Sequence, residues 1–427
     1  MEKEQFKTNH RKTALYLSVI PGAGQFYNKQ FIKGFVYFIL SLSFITVFFD
    51  FLNLGYWGLV TLGTIPMVDH SIFLLVKGII AVLVTAVGLG IYVLNLVDAY
   101  KNGKRRDLGI ETLSVRKQYQ NLIDSGFPYL MITPGFILLL FVVIFPILFV
   151  ILLAFTNYDL NHSPPAKLVE WIGFDNFFEI FQMEMWRDTF FNVFRWTIVW
   201  TFLATTIQIA IGIFLAVLVN QKDLKFKRTI RTILILPWAV PAFVSILVFA
   251  GMFNNTFGTI NNDILAFFGI DGIPWLTNPF WTKFALIMIQ SWLGFPFIFV
   301  MVTGVLQSIP NDLYEAATVD GATAWHKFKR ITFPIIMYAV APILITQYTF
   351  NFNNFNVIFL FNGGGPAVPG QNAGASDILI SWIYSLTIEQ SQYGKAAAIT
   401  MILSAVVIVV ALWQFRRTNA FKEEGMM

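Results

Sequence analysis

Apolar residues gather into eight runs, near 34–52, 73–97, 129–156, 193–219, 232–252, 284–306, 335–360 and 396–415. Each approaches the ~20 residues that an α-helix needs to cross the hydrocarbon of a bilayer. A helix satisfies its own backbone groups where no water can, so the pattern predicts eight spanning helices. Residues 14–28 (ALYLSVIPGAGQFYN) are apolar but too short to cross, are broken by Pro21, Gly22 and Gly24, and have basic residues on both sides. They predict an interfacial or re-entrant element. A cleavable signal peptide fits less well, because the next apolar run follows closely with no small-residue cleavage site between them.

The polar connections differ in charge. All but six of the 29 Lys and Arg lie in the N-terminal segment, in the loops after the second, fourth and sixth spans, or in the C-terminal tail; the exceptions are Lys77, Lys167, Arg187, Arg195, Lys283 and Lys395. Cytoplasmic loops retain basic residues. Both termini are therefore expected inside, and an even number of spans fits that parity. The outside segments 157–192 and 253–283 predict short folded caps rather than separate domains. The chain divides into an interfacial N-terminal element (1–33), two spans with a basic cytoplasmic loop (34–125) and a six-span core (126–427).

Composition sharpens this picture. Of 427 residues, 56% are hydrophobic and 12% charged, with a mean hydropathy of +0.66. Soluble domains carry roughly 25% charged residues, so a water-soluble globule and a disordered chain are both excluded, and an all-α polytopic membrane protein is expected. The chain has no Cys and only four scattered His, which removes disulfides, thiolate sites and metal-spaced clusters. The formal charge of +5 could suggest nucleic acid or an anionic surface, but in a membrane protein the placement of charges matters more than their sum, and the partner expected is the lipid bilayer, not nucleic acid.

The cytoplasmic loop after the sixth span, NDLYEAATVDGATAWHKFKRITFP (311–334), is unusually ordered. Pro310 and Asn311 can open a helix carrying Glu315, Ala316 and Ala317. Asp320-Gly321 supplies a turn. A second helical stretch puts Phe328 and Ile331 on one face, and Pro334 marks entry to the seventh span. Helix, turn and helix make a rigid knob for a soluble partner. The segment resembles the EAA loop of bacterial ABC importer permeases: Glu315, Ala316, Ala317, Gly321, Ile331 and Pro334 match at the right spacing, with Phe333 in place of the usual Leu. The resemblance implies a coupling helix that docks on an ATPase subunit.

No Gly-x-x-x-x-Gly-Lys-Ser/Thr loop is present to cradle phosphates. Asn362-Gly363-Gly364-Gly365-Pro366 lacks the Lys-Ser/Thr and reads as a flexible or turn-forming external loop. No ATP site is therefore expected in this chain; ATP and Mg²⁺ would be bound by two partner ATPase subunits. With one docking loop for two motors, a second permease subunit is also expected, and the resemblance favours a related but different chain over a second copy.

Polar groups inside two spans suggest a path. The sixth carries Gln290, Ser291, Gly294 and Pro296, and the seventh Gln347, Asn351, Asn353, Asn354 and Asn356. Amides both donate and accept, so amides among Phe rings suit a neutral polyhydroxyl ligand; bonding between helices is the other reading. Gly294 would admit a ligand or helix, and Pro296 would break its span. Asn351 and Asn354, three apart beside Gln347 and Phe350, are better placed for a site than Asn353 and Asn356, expected on another side.

WLGFPF (292–297), FNFNNF (350–355), the following NGGGP and LPWAVPAFVSILVF (236–249) resemble the eight-span permease subunit of maltose and maltodextrin importers, over a stretch from about Gly126 to the C-terminus. The resemblance implies sugar contacts at Gln290, Leu293, Gly294, Phe297, Gln347, Phe350, Asn351 and Asn354. It also implies a sugar-binding protein outside the cell and a place in the bacterial plasma membrane. An ion-coupled secondary transporter is the alternative. It would place ionisable groups at mid-membrane, whereas Asp50, Lys77, Asp98, Arg195 and Lys395 fall near the estimated span ends. No catalytic constellation recurs within the spans, and no channel filter is evident.

Overall fold

The structure, a computed structural model, describes residues 9–110, 117, 120, 123–124, 126–221 and 224–417. The predicted cytoplasmic charges Lys3, Lys7, Arg116, Lys222 and Lys422 lie outside them. The described chain is helical, with two isolated bridges, Thr156–Trp171 and Ala367–Gly374, and forms two compact units.

The first unit comprises Met1–Asn176 with Gln392–Met401. It contains α1 (His10–Leu17), α2 (Ala23–Tyr27), α3 (Phe31–Thr61), α4 (Ser71–Asp107) and α5 (Phe127–Leu153). The broken stretch 14–28 becomes the hairpin α1–α2, and polar groups bind it to α4. Gly22 N donates to Asn95 Oδ1 (3.1 Å), Asn95 Nδ2 to Ser18 O (3.0 Å), and Asn28 Nδ2 to Ala99 O (2.9 Å). Lys33 pairs with Asp98 at 2.7 Å. Tyr16, Val19 and Ile20 stay exposed, so the hairpin keeps an apolar surface suited to a lipid–water boundary.

Small residues let α3 and α4 approach. Gly55 and Gly58 face Ala81 and Leu74, and a Cβ at Gly78 would sit 2.6 Å from the Leu59 Cβ. This close packing is a usual source of helix association in lipid, where burial of apolar surface supplies little. At 31 residues α3 is about 46 Å long, beyond the ~30 Å hydrocarbon core. Asp50 lies well inside this helix rather than at its end as expected, yet about 20 residues from Phe31, where the hydrocarbon would run out. The segment after α5 folds as a cap: Val169 N donates to Ser71 Oγ (3.0 Å), Trp171 Nε1 to Val60 O (3.1 Å), and Tyr158 stacks on Tyr393 at 4.4 Å.

The second unit comprises Phe177–Ser391 with Ile402–Met427. After α6 (Asp175–Gln182) come α7 (Glu184–Val219), α8 (Lys227–Ala239), α9 (Ala242–Met252) and α10 (Pro279–Ser308). Next are α11 (Asn311–Val319) and α12 (Ala324–Lys327), which runs through a π-helical turn, Phe328–Thr332, into α13 (Phe333–Phe352). Finally come α14 (Phe355–Asn362), α15 (Leu379–Ile388) and α16 (Tyr393–Arg417), shared between the units. One core cluster holds Trp196, Trp200, Phe253, Trp275, Leu286, Ile289 and Phe361, and another Phe295, Ile298, Phe299, Val302, Ile336 and Val340.

All eight predicted runs are helical, with changes. Six described helices are long and apolar enough to span, or seven with one bent pair counted as a span. The run 232–252 is that pair: α8 and α9 meet at 90°, because extended Val240 precedes Pro241, which cannot continue a helical hydrogen-bond ladder. The run 335–360 is interrupted at Asn353–Asn354. The last run lies in α16, whose described apolar stretch, Tyr393–Val409, is shorter than a span, and α15 is an apolar helix the pattern did not single out.

The run Asn362–Pro366, expected as a flexible or turn-forming loop, opens a hydrogen-bonded hairpin over residues 363–378. Ser376 N donates to Gly364 O (2.9 Å) and Ala375 N to Pro366 O (2.7 Å), while Trp196 Nε1 of α7 reaches Ser376 O (3.1 Å). Buried Asp377 closes it by accepting from Gly374 N (2.8 Å) and Ser381 Oγ (2.7 Å).

Two predictions follow from this packing. Gly78→Leu should force α3 from α4 at the overpacking cost of about 1–3 kcal/mol, seen as a lower melting temperature in detergent; an unchanged melting temperature would refute the close contact. Burial pushes the Asp377 carboxyl from its ordinary 3.8 up to about 6, against the downward pull of Ser381 and Gly374. The folded loop thus holds its proton more tightly than the unfolded chain, so stability should fall by up to about 3 kcal/mol as pH rises from about 4 to about 6, then level. Melting temperatures of wild type and Asp377→Asn across that window check this, since the variant should lose the slope.

Candidate functional site

The two helix interruptions and the centre of α10 converge on a cavity of about 440 Å³. The α8–α9 bend contributes Trp238, Val240 and Pro241, α10 contributes Gln290, Leu293, Gly294 and Phe297, and α13–α14 contribute Gln347, Phe350, Asn354 and Asn356. Trp238 meets Phe297 edge-on at 5.9 Å, and Phe350 stands exposed. The wall is a set of aromatic and aliphatic faces with neutral amides between them and no ionisable group.

The amides form a chain through the protein. Asn354 Nδ2 donates to Gln290 Oε1 at 2.9 Å, and Gln290 Nε2 donates to Gln208 Oε1 at 3.1 Å. Gln208 Nε2 makes a long contact with Gln347 Oε1 at 3.5 Å. On the other side, Asn354 Nδ2 also reaches Asn351 Oδ1 at 3.3 Å, and Asn351 Nδ2 donates to Thr205 Oγ1 at 2.9 Å. In a low-dielectric interior such a network fixes side-chain orientation, because each unmade bond costs more than it would in water.

Seven of the eight residues expected to meet a ligand line the cavity; Asn351 does not. Fully buried, it sits behind the wall, where its carbonyl also accepts from Trp200 Nε1 (2.9 Å), so it orients Asn354 instead of facing the cavity. Asn356, expected on another side, is in the lining. The interruption at Asn353–Asn354 is the reason, since residues after it no longer follow the helical phase of α13. Asn353 stays exposed and donates to Thr349 O.

Two expectations for α10 are corrected. Pro296 does not break its span, for α10 runs unbroken through it. The void above Gly294 is taken by a side chain from α7: a Cβ there would collide with Gln208 Oε1. Gln208 and Thr205 were missed by reading polar groups only in the sixth and seventh spans. Their signal was present, since Gln208 is a lone amide in the apolar run IQIAIGIF of the fourth span.

The 311–334 segment has the anticipated helix–turn–helix form. Glu315 and Ala316 are exposed on α11 and Ala317 is half-buried. Asp320 and Gly321 make the exposed turn, with Gly321 at φ +76°, where a side chain would be strained. Ala322 N bonds back to Ala317 O at 2.9 Å, sealing the helix end. Lys327 Nζ to Thr318 Oγ1 (2.7 Å) and Tyr314 OH to Thr332 Oγ1 (2.9 Å) tie the two helices. Phe328 stacks on Trp325 and meets Phe333 at a tilt, Ile331 is half-buried, and Pro334 lies exposed in the first turn of α13. Leu313, Val319 and Trp325 are 45%, 89% and 65% exposed, apolar surface of the kind a partner covers. From Ala324 to Phe352 the helical path is continuous, about 43 Å at 1.5 Å per residue, and it ends beside Asn354 in the cavity.

Comparison with known proteins gives consistent matches. The model of the binding-protein-dependent transport system inner membrane component family matches residues 208–417. The chain is 61% identical over 416 residues to the galactooligosaccharides transport system permease protein GanP of Bacillus subtilis, covering 97% of this chain and 100% of that protein. It is 47% identical over 435 residues to the maltodextrin transport system permease protein MdxF of the same species, covering 100% of both. Among solved structures, a chain of a bacterial ABC transporter involved in import of the acidic polysaccharide alginate aligns with a TM-score of 0.59 and 24% identity, covering 71% of this chain and 99% of that one. That likeness concerns the fold.

The Gly294–Gln208 contact yields a prediction. Gly294→Ala should displace the Gln208 amide and destabilise the second unit by about 1–3 kcal/mol. Combining it with Gln208→Ala should cost less than the two single losses added together, because the clash vanishes. Additive melting shifts would show that the two positions are independent.

Proposed function

The chain belongs to the binding-protein-dependent transport system inner membrane component family and is a multi-pass permease subunit, and we propose that its cavity carries a neutral oligosaccharide across a bacterial plasma membrane at the expense of ATP hydrolysed elsewhere. The cavity itself carries this reading. Amides that both donate and accept, set among aromatic faces, can bond sugar hydroxyls and cover the apolar faces of sugar rings. Gln290, Gln347, Asn354 and Asn356 supply the amides; Leu293, Phe297 and Phe350 supply the apolar surface, and Gly294 leaves room for Gln208, which orients Gln290. The relatives' names point to galactooligosaccharides at the higher identity and maltodextrins at the lower, so a galactose-containing oligosaccharide is the first choice.

Energy enters at the other end of α12–α13. The exposed α11 knob, with Glu315 to Gly321 at its tip, fits a cleft on an ATP-binding subunit. Two such ATPases, which bind ATP and Mg²⁺, and a second homologous permease complete the transporter, and a sugar-binding protein delivers substrate from outside. Both termini lie in the cytoplasm, on the side of the basic loops. When the ATPases close, the knob moves with them, and the continuous helix carries that movement to Asn354. Each end state then has its own contacts, as a rigid-body switch requires.

In proteoliposomes holding the complete transporter, Asn354→Ala should raise the sugar concentration giving half-maximal uptake about tenfold, the loss of roughly 1.4 kcal/mol of hydrogen bonding. ATPase attachment should be unchanged. Glu315→Ala should instead weaken attachment and lower uptake at every sugar concentration. The reading fails if the wild-type complex takes up neither galactooligosaccharide nor maltodextrin when supplied with ATP.

A further inference from the structure

A second cavity, of about 420 Å³, opens in the same unit between α7, the first turn of α10 and the 363–378 hairpin. Arg195 and Lys283 both line it, together with Trp196, Gln371 and Asp377. Basic residues are scarce on this side, where the sequence pattern leaves six of 29, yet two of the six converge here. Neither has an ion-pair partner among the described residues. Lys283 is half-buried with its Nζ 4.6 Å from the centre of the Trp196 ring, which attracts the cation but does not neutralise it. The single acid in the lining, Asp377, has both oxygens engaged by Ser381 and Gly374 within its own loop.

The site is rigidly built. Trp196 is held by Ser376 O at 3.1 Å, and Leu379 N donates to Thr197 Oγ1 at 3.0 Å, fixing the hairpin and α15 to α7. It is distinct from the sugar cavity, with which it shares no lining residue.

We propose that the Arg195–Lys283 cavity is a docking socket for an acidic side chain of the sugar-binding protein that delivers substrate to the outer face. This rests on the importer reading above and adds to it the residues and the sign of charge that hold the carrier. Two cations with no acidic partner of their own attract and orient a carboxylate, and such pairs act on encounter and register, weakening as salt is added.

The test uses the complete transporter in nanodiscs and its own sugar-loaded binding protein, titrated while ATP hydrolysis is followed. In the double variant Arg195→Gln, Lys283→Gln, the binding-protein concentration for half-maximal stimulation should rise about tenfold, with the maximal rate retained. In wild type that concentration should climb as NaCl is raised from about 50 to about 300 mM, and in the variant it should stay nearly flat. Arg195→Gln alone, at an exposed position, gives a smaller shift in the same direction and serves if the double variant does not fold. Unmoved half-saturation and unmoved salt dependence overturn the socket, as does an altered sugar requirement at saturating binding protein. A wild-type complex that transports no sugar fails the importer reading itself; a transporting complex with unmoved values fails only the socket.

Discussion

A buried amide in a membrane protein must find its partner within the protein, and the bonds linking Gln347, Gln208, Gln290, Asn354, Asn351 and Thr205 meet that demand. Much of the second unit is arranged around this chain. It holds α7 against α10 at Gly294 and fixes the point where α13 gives way to α14. It also leaves amide edges on a wall that otherwise consists of rings and aliphatic chains. A cavity made this way needs no charge, which suits a solute whose polarity lies in hydroxyl groups.

The helix interruptions serve the same cavity. Irregular backbone at membrane depth is tolerated where it lines a cavity or is covered by protein, and both the α8–α9 bend and the Asn353–Asn354 break occur in the wall. On its other side α13 is uninterrupted back through the π-turn to Ala324. The element that would bind sugar and the element that would be pushed are thus ends of one path. A proposed lever of this kind depends on stiffness, supplied at the knob by the Lys327–Thr318 and Tyr314–Thr332 bonds.

Several features were legible in the residues because their signals are local. Runs of apolar residues gave the helices. Asp320-Gly321 gave the turn of the knob, whose glycine takes a positive φ. The grouping of Gln290, Leu293, Gly294, Phe297, Gln347, Phe350 and Asn354 also came from sequence, through resemblance as much as through polarity. Asn351 and Asn356 were misplaced for one reason: helical phase was carried across residues 353–354, where the helix stops.

The sequence by itself determined that this chain lives in a bilayer, where its helices run and which segment projects as a rigid turn, because hydrophobic period, charge bias and glycine conformational freedom act over a few neighbouring residues. Only the tertiary structure decided that Gln208 fills the space above Gly294, that Pro241 bends a span while Pro296 does not, and that Arg195 and Lys283 share a cavity. Those outcomes depend on which helices come to lie side by side, and the partners are far apart in the chain, 86 positions for Gln208 and Gly294 and 88 for Arg195 and Lys283. Contacts at that range leave no periodic mark in the residues that make them.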